Sequence, residues 1–399
     1  MATTALESQA QQPDLGKPQF ASHTWLEPIV VVGIMIGSLI VNRRRNYSIL
    51  GRKSSGLNDT YPDEDEDTYG GNGQYSRTQS VCGITFKTPD SSRWAHHIHS
   101  RIIQKYPFLV EMFYWAVNFL FYSFTKAIAQ WLSPAEIGVV QVAQNHAIDI
   151  LNFEHKSFFS FLFIEESEFQ SFFMTNHPSI MTFFNRIYSL VHIPGTVLFL
   201  SWYYYAAEDH NAFAVARRTM TLGNFAAFMI FCFYPCMPPR MLPEAYHFYD
   251  TVRQDHAESV WVGGQSINQL AAMPSLHFTY AFVIGCTFLY HSGILPKFCG
   301  RPARKSLFKQ ILYITLAIVY PLLVLGVIVA TANHYWSDAL VAMFSVAICF
   351  LGNRVLLLLL PVEYLVCWAL RLAKPKPTTG YRSLSKYHSR QDDVQYNPV

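Results

Sequence analysis

Charge is what this 399-residue chain has least of: Asp, Glu, Lys and Arg together make up 14% of it, against about a quarter in soluble domains. So little polar cover excludes an ordinary soluble enzyme. The net charge is only +3, and no zinc-finger, RNA-binding or Walker pattern is present, which excludes nucleic acid as a partner. Cysteine is sparse and scattered. The seven, at positions 82, 232, 236, 286, 299, 349 and 367, lie mostly inside apolar runs and form neither a disulfide nor a zinc framework. HExxH is missing as well, and no third strong ligand sits at motif spacing, so neither a metal nor another cofactor is expected.

Apolar sequence is abundant instead, at 51% hydrophobic and 16% aromatic residues. A membrane-crossing helix needs about 20 mostly apolar residues, and seven stretches come close, near 25–41, 108–132, 179–205, 219–236, 276–292, 310–331 and 337–360. The expected fold class is all-α: a polytopic integral membrane protein of about seven transmembrane helices. The first stretch is the shortest. Its basic residues Arg43, Arg44 and Arg45 follow the apolar run, so it reads as an anchor and not a cleaved signal.

Lys and Arg collect in cytoplasmic loops. With the N-terminus outside, segments 42–107, 206–218, 293–309 and 361–399 carry 23 basic residues and the opposite side carries four, Lys17, Lys156, Arg240 and Arg253. This asymmetry places the C-terminus in the cytoplasm. The expected organisation is an N-terminal tail and anchor over 1–45, a disordered cytoplasmic linker over 46–107, a membrane catalytic domain over 108–360 and a cytoplasmic tail over 361–399. The linker assignment rests on Gly, Ser, Asn and the acidic run Asp63 to Asp67, a composition that cannot bury a core. Residues 151–173 alternate Phe and Leu clusters with Glu154, Glu165, Glu166 and Glu168. They read as a helix lying along the outer membrane face, or as an ordinary extramembrane packing helix.

Two short segments put ionisable side chains at span ends on that same outer side. In AAMPSLHFTYAF, residues 271–282, Pro274 suits the first turn of a helix, whose unpaired backbone N–H groups attract phosphate. His277 projects from that turn. In ATANHYWSDAL, residues 330–340, His334 and Asp338 are four apart and share a helix face if the last span has begun. A carboxylate that accepts the proton of one imidazole nitrogen leaves the other free as a nucleophile. A lone histidine near a membrane interface is usually structural; two at the ends of separate spans, one with an aspartate a turn away, point to chemistry.

MPSLH and NHYWSD, separated by two spans, resemble the P-S-x-x-H and H-x-x-x-D motifs of the type 2 phosphatidic acid phosphatase superfamily. AAMPSLH, the HYWSD turn and PCMPPRMLP together look closest to the fungal inositol phosphorylceramide synthases and their inositolphosphotransferase-like relatives. The resemblance covers roughly residues 108–360. It implies a metal-free six-helix core in which His334 becomes a phosphohistidine, Asp338 partners it and His277 protonates the leaving group. Arg240, with Arg253 as the weaker candidate, and the helix start at Ser275 would hold the phosphate.

The family's phosphatases carry an arginine six residues before the nucleophile, where this chain has Ile328. They also carry a lysine seven before the arginine of their first motif, which becomes Phe233 if Arg240 is that arginine. A phosphate diester carries one charge fewer than a monoester and needs fewer cationic clamps. The resemblance therefore implies transfer of a phosphoinositol-type headgroup from a glycerophospholipid to a lipid alcohol such as ceramide, on the lumenal side of an endomembrane such as the Golgi or endoplasmic reticulum. Lipid phosphate phosphatase and a catalytically silent membrane scaffold are the alternatives. No inverted repeat suggests a transporter, and the sequence names no protein partner.

Overall fold

The computed structural model describes residues 25–45, 47–50, 76–81, 84–89, 91–132, 136–156, 160–255, 270–294 and 305–380. Its helices are α1 (Leu26–Val41), α2 (Ile98–Lys105), α3 (Phe108–Leu132), α4 (Glu136–Lys156), α5 (Glu166–Asn176), α6 (Pro178–Arg186), α7 (His192–Ala206), α8 (His210–Phe233), α9 (Thr251–Gln254), α10 (Leu276–Ser292), α11 (Leu307–Ala330), α12 (Trp336–Leu351) and α13 (Leu360–Ala369). Apolar runs without helix breakers dictate most of them. At 1.5 Å per residue, the 24 residues of α11 reach about 36 Å, enough to cross the hydrocarbon core.

By length and composition, α11 and residues 108–125 of α3 can cross a membrane, and Trp336–Leu351 with Asn353–Ala369 makes a third if taken as one broken span. Helices stand at each of the seven expected stretches, but two differ in form. The stretch expected over 179–205 is α6, a π-helical turn over Ile187–Val191, and α7. The last expected span stops at Leu351, and a tighter 3-10 helix over Asn353–Leu359 follows Gly352, where backbone freedom lowers the cost of leaving the α-helix. The single helix expected over 151–173 is the end of α4 followed by α5.

The chain divides into two units. The first comprises Met1–Val31, Phe119–Thr196 and Thr219–Cys349. In it α10 packs along α11, and the approach is so close that a Cβ on Gly285 would lie 2.6 Å from Cγ of Pro321 and 2.7 Å from the carbonyl oxygen of Ala317. Pro321 sits inside α11. Around this crossing Phe278, Ala281, Val324, Ile328, Val329, Ala339 and Ala342 form a buried core. A second core joins Ala143, Ala147 and Ile150 of α4 to Cys236, Met237, Ala272 and Tyr335.

The second unit comprises Val32–Asn118, Val197–Arg218 and Phe350–Val399. It corrects two expectations. Within the stretch expected to be a disordered linker, β1 (Ser76–Val81) and β2 (Ile84–Pro89) pair antiparallel, with Ser76 opposite Pro89 and Val81 opposite Ile84. Thr78, Val81, Ile84, Thr85, Phe86 and Thr88 there are β-branched or aromatic, a composition that suits a pleated pair, and β2 packs on α13. The acidic run lies outside the described residues. The segment after α13 is not a free tail up to Gly380. Nε2 of His99 bonds the carbonyl oxygen of Arg371 at 2.7 Å, the Ser100 hydroxyl accepts from the Ala373 N–H at 3.0 Å, and the Thr378 hydroxyl donates to the Asn42 carbonyl at 2.9 Å. Residues 381–399 are outside the described set.

Candidate active site

The turn that carries His334 begins where α11 ends. Ala332 adopts a left-handed conformation, φ 51°, at a cost of about 1–2 kcal/mol for an L-residue. Its carbonyl accepts the backbone N–H of Arg240 at 2.9 Å. Four residues on, at Trp336, α12 starts, and Asp338 occupies its first turn. One oxygen of Asp338 accepts the Tyr335 N–H at 3.0 Å, the reach-back from the third helical position that caps a helix start. The same oxygen lies 3.1 Å from Nδ1 of His334.

Nδ1 of His334 is also 2.8 Å from the carbonyl oxygen of Ala272. A carbonyl can only accept, so Nδ1 carries the hydrogen and Nε2 keeps the lone pair. His334 is 6% exposed and Asp338 is fully buried. The result is a desolvated imidazole with one nucleophilic nitrogen and a carboxylate behind it.

His277 stands one residue into α10. Ser275 is the N-cap, its hydroxyl accepting the Phe278 N–H at 3.3 Å, so Pro274 precedes the cap instead of opening the helix. Ser275, named for the helix start expected to hold phosphate, is fully buried, and its hydroxyl is already a capping acceptor. The ring centroids of His277 and His334 are 5.9 Å apart, close enough for both to reach one phosphoryl group. Tyr188 stacks on His277 with centroids 4.2 Å apart, and His192 packs on it at 4.2 Å. Both come from the π-helical turn and the residue after it, a form of helix that recurs at functional sites. Sequence reasoning missed both, although a histidine inside an apolar span is itself a functional signal. Nε2 of His277 is buried without a partner, and the ring lines a cavity of about 20 Å³, room for about one water.

Backbone pairing sews the third expected segment to these two. Cys236 and Ala271 form a parallel bridge, with the Cys236 N–H donating to Leu270 at 2.9 Å and the Ala272 N–H to Cys236 at 3.1 Å. Arg240 is thereby held beside the turn that carries His334. Its guanidinium donates to the Asn333 side-chain oxygen, and its Nε is 3.3 Å from the Asp250 carboxylate. Asp250 also caps α9 by accepting the backbone N–H of Arg253 at 3.1 Å, so one carboxylate holds the Arg240 guanidinium and the start of α9 together. Asn333 and Asp250 carried no motif that could have marked them.

A family model for the PAP2 superfamily matches residues 148–352, just over half of the chain, and contains every residue of this arrangement. The chain belongs to the PAP2 superfamily. Membership supports an integral membrane enzyme of the lipid phosphatase or phosphotransferase type. No curated protein and no solved structure matches it.

Against the phosphatase pattern of the PAP2 superfamily, the two substituted cation positions differ in place. Ile328 is fully buried and lines the small cavity with His277, His192 and Tyr188. Phe233, at the end of α8, is 76% exposed, so it forms no apolar wall of the site. One clamp position, not two, faces the cavity as hydrocarbon.

Two further carboxyls support α12 of this PAP2 protein. Glu154 and Glu166 are both fully buried. One oxygen of Glu154 accepts the Ser337 N–H at 2.6 Å, and one of Glu166 pairs with Nε2 of His155 at 2.7 Å. The other oxygen of each has no donor. Ligand atoms of Glu154, His155 and Glu166 lie within 4.8 Å of one another, a geometry that would accept a cation or a proton shared by the two carboxyls. Burial, then the neighbouring Glu166, pushes Glu154 up to about 9 from its ordinary 4.5, and burial raises Glu166 as well. A proton on Glu154 satisfies both orphaned oxygens.

A carboxyl raised in the folded state contributes stability that is complete below its unfolded value and is lost as pH rises towards the folded one, here from about 4.5 to about 9. The loss amounts to at most about 1.4 kcal/mol per pH unit. Glu154→Gln, which mimics the protonated form, is expected to flatten the fall in thermal stability of the detergent-solubilised protein between pH 6 and 9. Equal slopes for the two proteins would refute the shared proton, and a rise in melting temperature on adding a divalent cation to wild type alone would put a metal there instead.

Proposed function

We propose that this protein is a lipid phosphotransferase that moves a phosphoinositol-type headgroup from a glycerophospholipid to a lipid alcohol such as ceramide, through a phosphohistidine at His334. Nε2 of His334 attacks the phosphorus, His277 gives a proton to the departing diacylglycerol oxygen, and the lipid alcohol then displaces the histidine as His277 takes a proton back. Arg240 and the first turn of α10 hold the non-bridging oxygens. The basic-residue asymmetry supports a lumenal site with a cytoplasmic C-terminus.

The observation that carries the transferase reading is Ile328, buried against the cavity of His277 where phosphatases of this resemblance place arginine. A charged hydrogen bond is worth roughly 1.5–3 kcal/mol. At about 1.4 kcal/mol per factor of ten, its absence costs a dianionic monoester about 10–10² in rate, and a singly charged diester less. The exposed Phe233 halves the energy expected from two missing clamps.

The test assays one purified preparation with phosphatidylinositol plus ceramide and, in parallel, with phosphatidic acid. Headgroup transfer is expected to exceed phosphate release by at least tenfold. Faster release of inorganic phosphate from phosphatidic acid would make the protein a lipid phosphate phosphatase.

A further inference from the structure

The second unit encloses a cavity of about 300 Å³ whose lining includes parts of α3, α8, α13 and the segment after it. Its volume is at the lower end for small-molecule sites. Four of its lining charges cancel in pairs. Arg217 donates to both oxygens of Glu111 at 2.8 and 2.7 Å, and Lys374 lies 3.1 Å from Glu363. His210 also lines it, but burial and the neighbouring Arg217 push that imidazole down to about 3, so it adds no charge at neutral pH.

Arg218 is left over. It is 9% exposed, lines the same cavity, and among the described residues its side-chain hydrogen bond goes to the neutral amide oxygen of Asn353, at 3.3 Å. A guanidinium taken out of water without a counter-anion is costly, and a wall of the cavity adjoining it holds one uncompensated positive charge. The rest of the lining is mixed. Val110, Leu357 and Leu360 offer hydrocarbon beside the charge.

A single cation next to an apolar wall matches an amphiphile with one negative charge. A phosphate diester meets this description, because it keeps one charge at neutral pH and carries acyl chains that can lie on the leucines. Free inorganic phosphate fits less well: it brings nearly two charges to one vacancy of charge and covers none of the hydrocarbon. We propose that this cavity binds the phosphodiester of an anionic glycerophospholipid, with Arg218 as its counter-ion. The site is separate from the catalytic histidines in residues and in role, and it stands whichever lipid those histidines process.

The test counts lipids bound to the full-length protein by native mass spectrometry, after delipidation and titration with phosphatidylglycerol. Phosphatidylcholine and inorganic phosphate are the comparison probes. Wild type is expected to hold one more phosphatidylglycerol than Arg218→Gln, with an apparent affinity at least tenfold higher for that lipid, and Arg218→Lys should retain most of it. Leu357→Trp, which fills the cavity and leaves every charge in place, is expected to lose the same lipid and gives a second answer if Arg218→Gln fails to fold. Equal phosphatidylglycerol binding by wild type and Leu357→Trp would overturn the proposal. So would displacement of the lipid by inorganic phosphate at equal concentration, which would remove the role of the acyl chains, or equal retention of zwitterionic phosphatidylcholine, which would remove the need for a net negative charge.

Discussion

Alanine at position 334 is expected to abolish turnover and, with it, any acid-labile phosphoenzyme. The reason is geometric. Nδ1 of His334 is committed to the Ala272 carbonyl and to Asp338, so Nε2 is the nitrogen that can attack, and of the described histidines with a carboxylate behind them, His334 and His155, it is His334 that stands beside His277. His277 is 5.9 Å away by ring centroids but has no carboxylate partner of its own. Covalent catalysis through one atom loses everything with that atom. His334→Ala also leaves the Ala272 carbonyl without its donor and Asp338 with only the Tyr335 N–H, so His334→Asn is the better control: its amide can still donate to the carbonyl but cannot carry a phosphoryl group. Both variants should be inactive, and His334→Asn should unfold within a few degrees of wild type. Wild-type activity in either one would sink the phosphohistidine mechanism.

The second large effect concerns Asp338→Asn. In a histidine held by its carboxylate alone, the amide replacement allows the wrong tautomer and costs about 10⁴-fold. Here the tautomer is held twice, because the Ala272 carbonyl accepts from Nδ1 whatever stands at 338. What the variant loses is the negative charge facing the imidazolium-like species formed as His334 is phosphorylated. Charge-assisted hydrogen bonds are worth roughly 1.5–3 kcal/mol, so the expected loss is about 10–10² in the rate of phosphoenzyme formation, with little change in substrate affinity. Single-turnover measurement with labelled donor lipid reads this step. A loss of 10⁴ would show that the carbonyl does not hold the tautomer, and no loss would show that Asp338 serves only as the cap of α12.

Much of this arrangement was legible in the order of residues, for identifiable reasons. Long apolar runs specify helices almost unaided, as at α3, α10 and α11, because a backbone without water must pair with itself. His334 and Asp338, one turn apart, carried their relation in their spacing. The contact of His334 to Ala272, 62 residues before it, carried no local signal, and neither did the pairing of Asp250 with Arg240. Glu154 and Glu166 looked like the polar face of a surface helix, since a pair of carboxyls sharing a proton is indistinguishable in sequence from two solvated ones. The hairpin over residues 76–89 was hidden by its polar surroundings, and the spacing that puts Phe233 at a clamp position says nothing about which way the end of α8 faces.

The crossing of α10 and α11 at Gly285 reaches further than packing. One of these helices begins next to His277 and the other ends just before His334, so the gap between the two imidazoles is measured by two struts that touch where only a hydrogen atom fits between Gly285 and Pro321. Spacing at the reaction centre is therefore set two turns deeper along α10, among side chains that never meet the substrate. In such a framework the apolar interior acts as the gauge of the chemistry, and a methyl group added at its contact point alters the calibration without altering a single reactive atom.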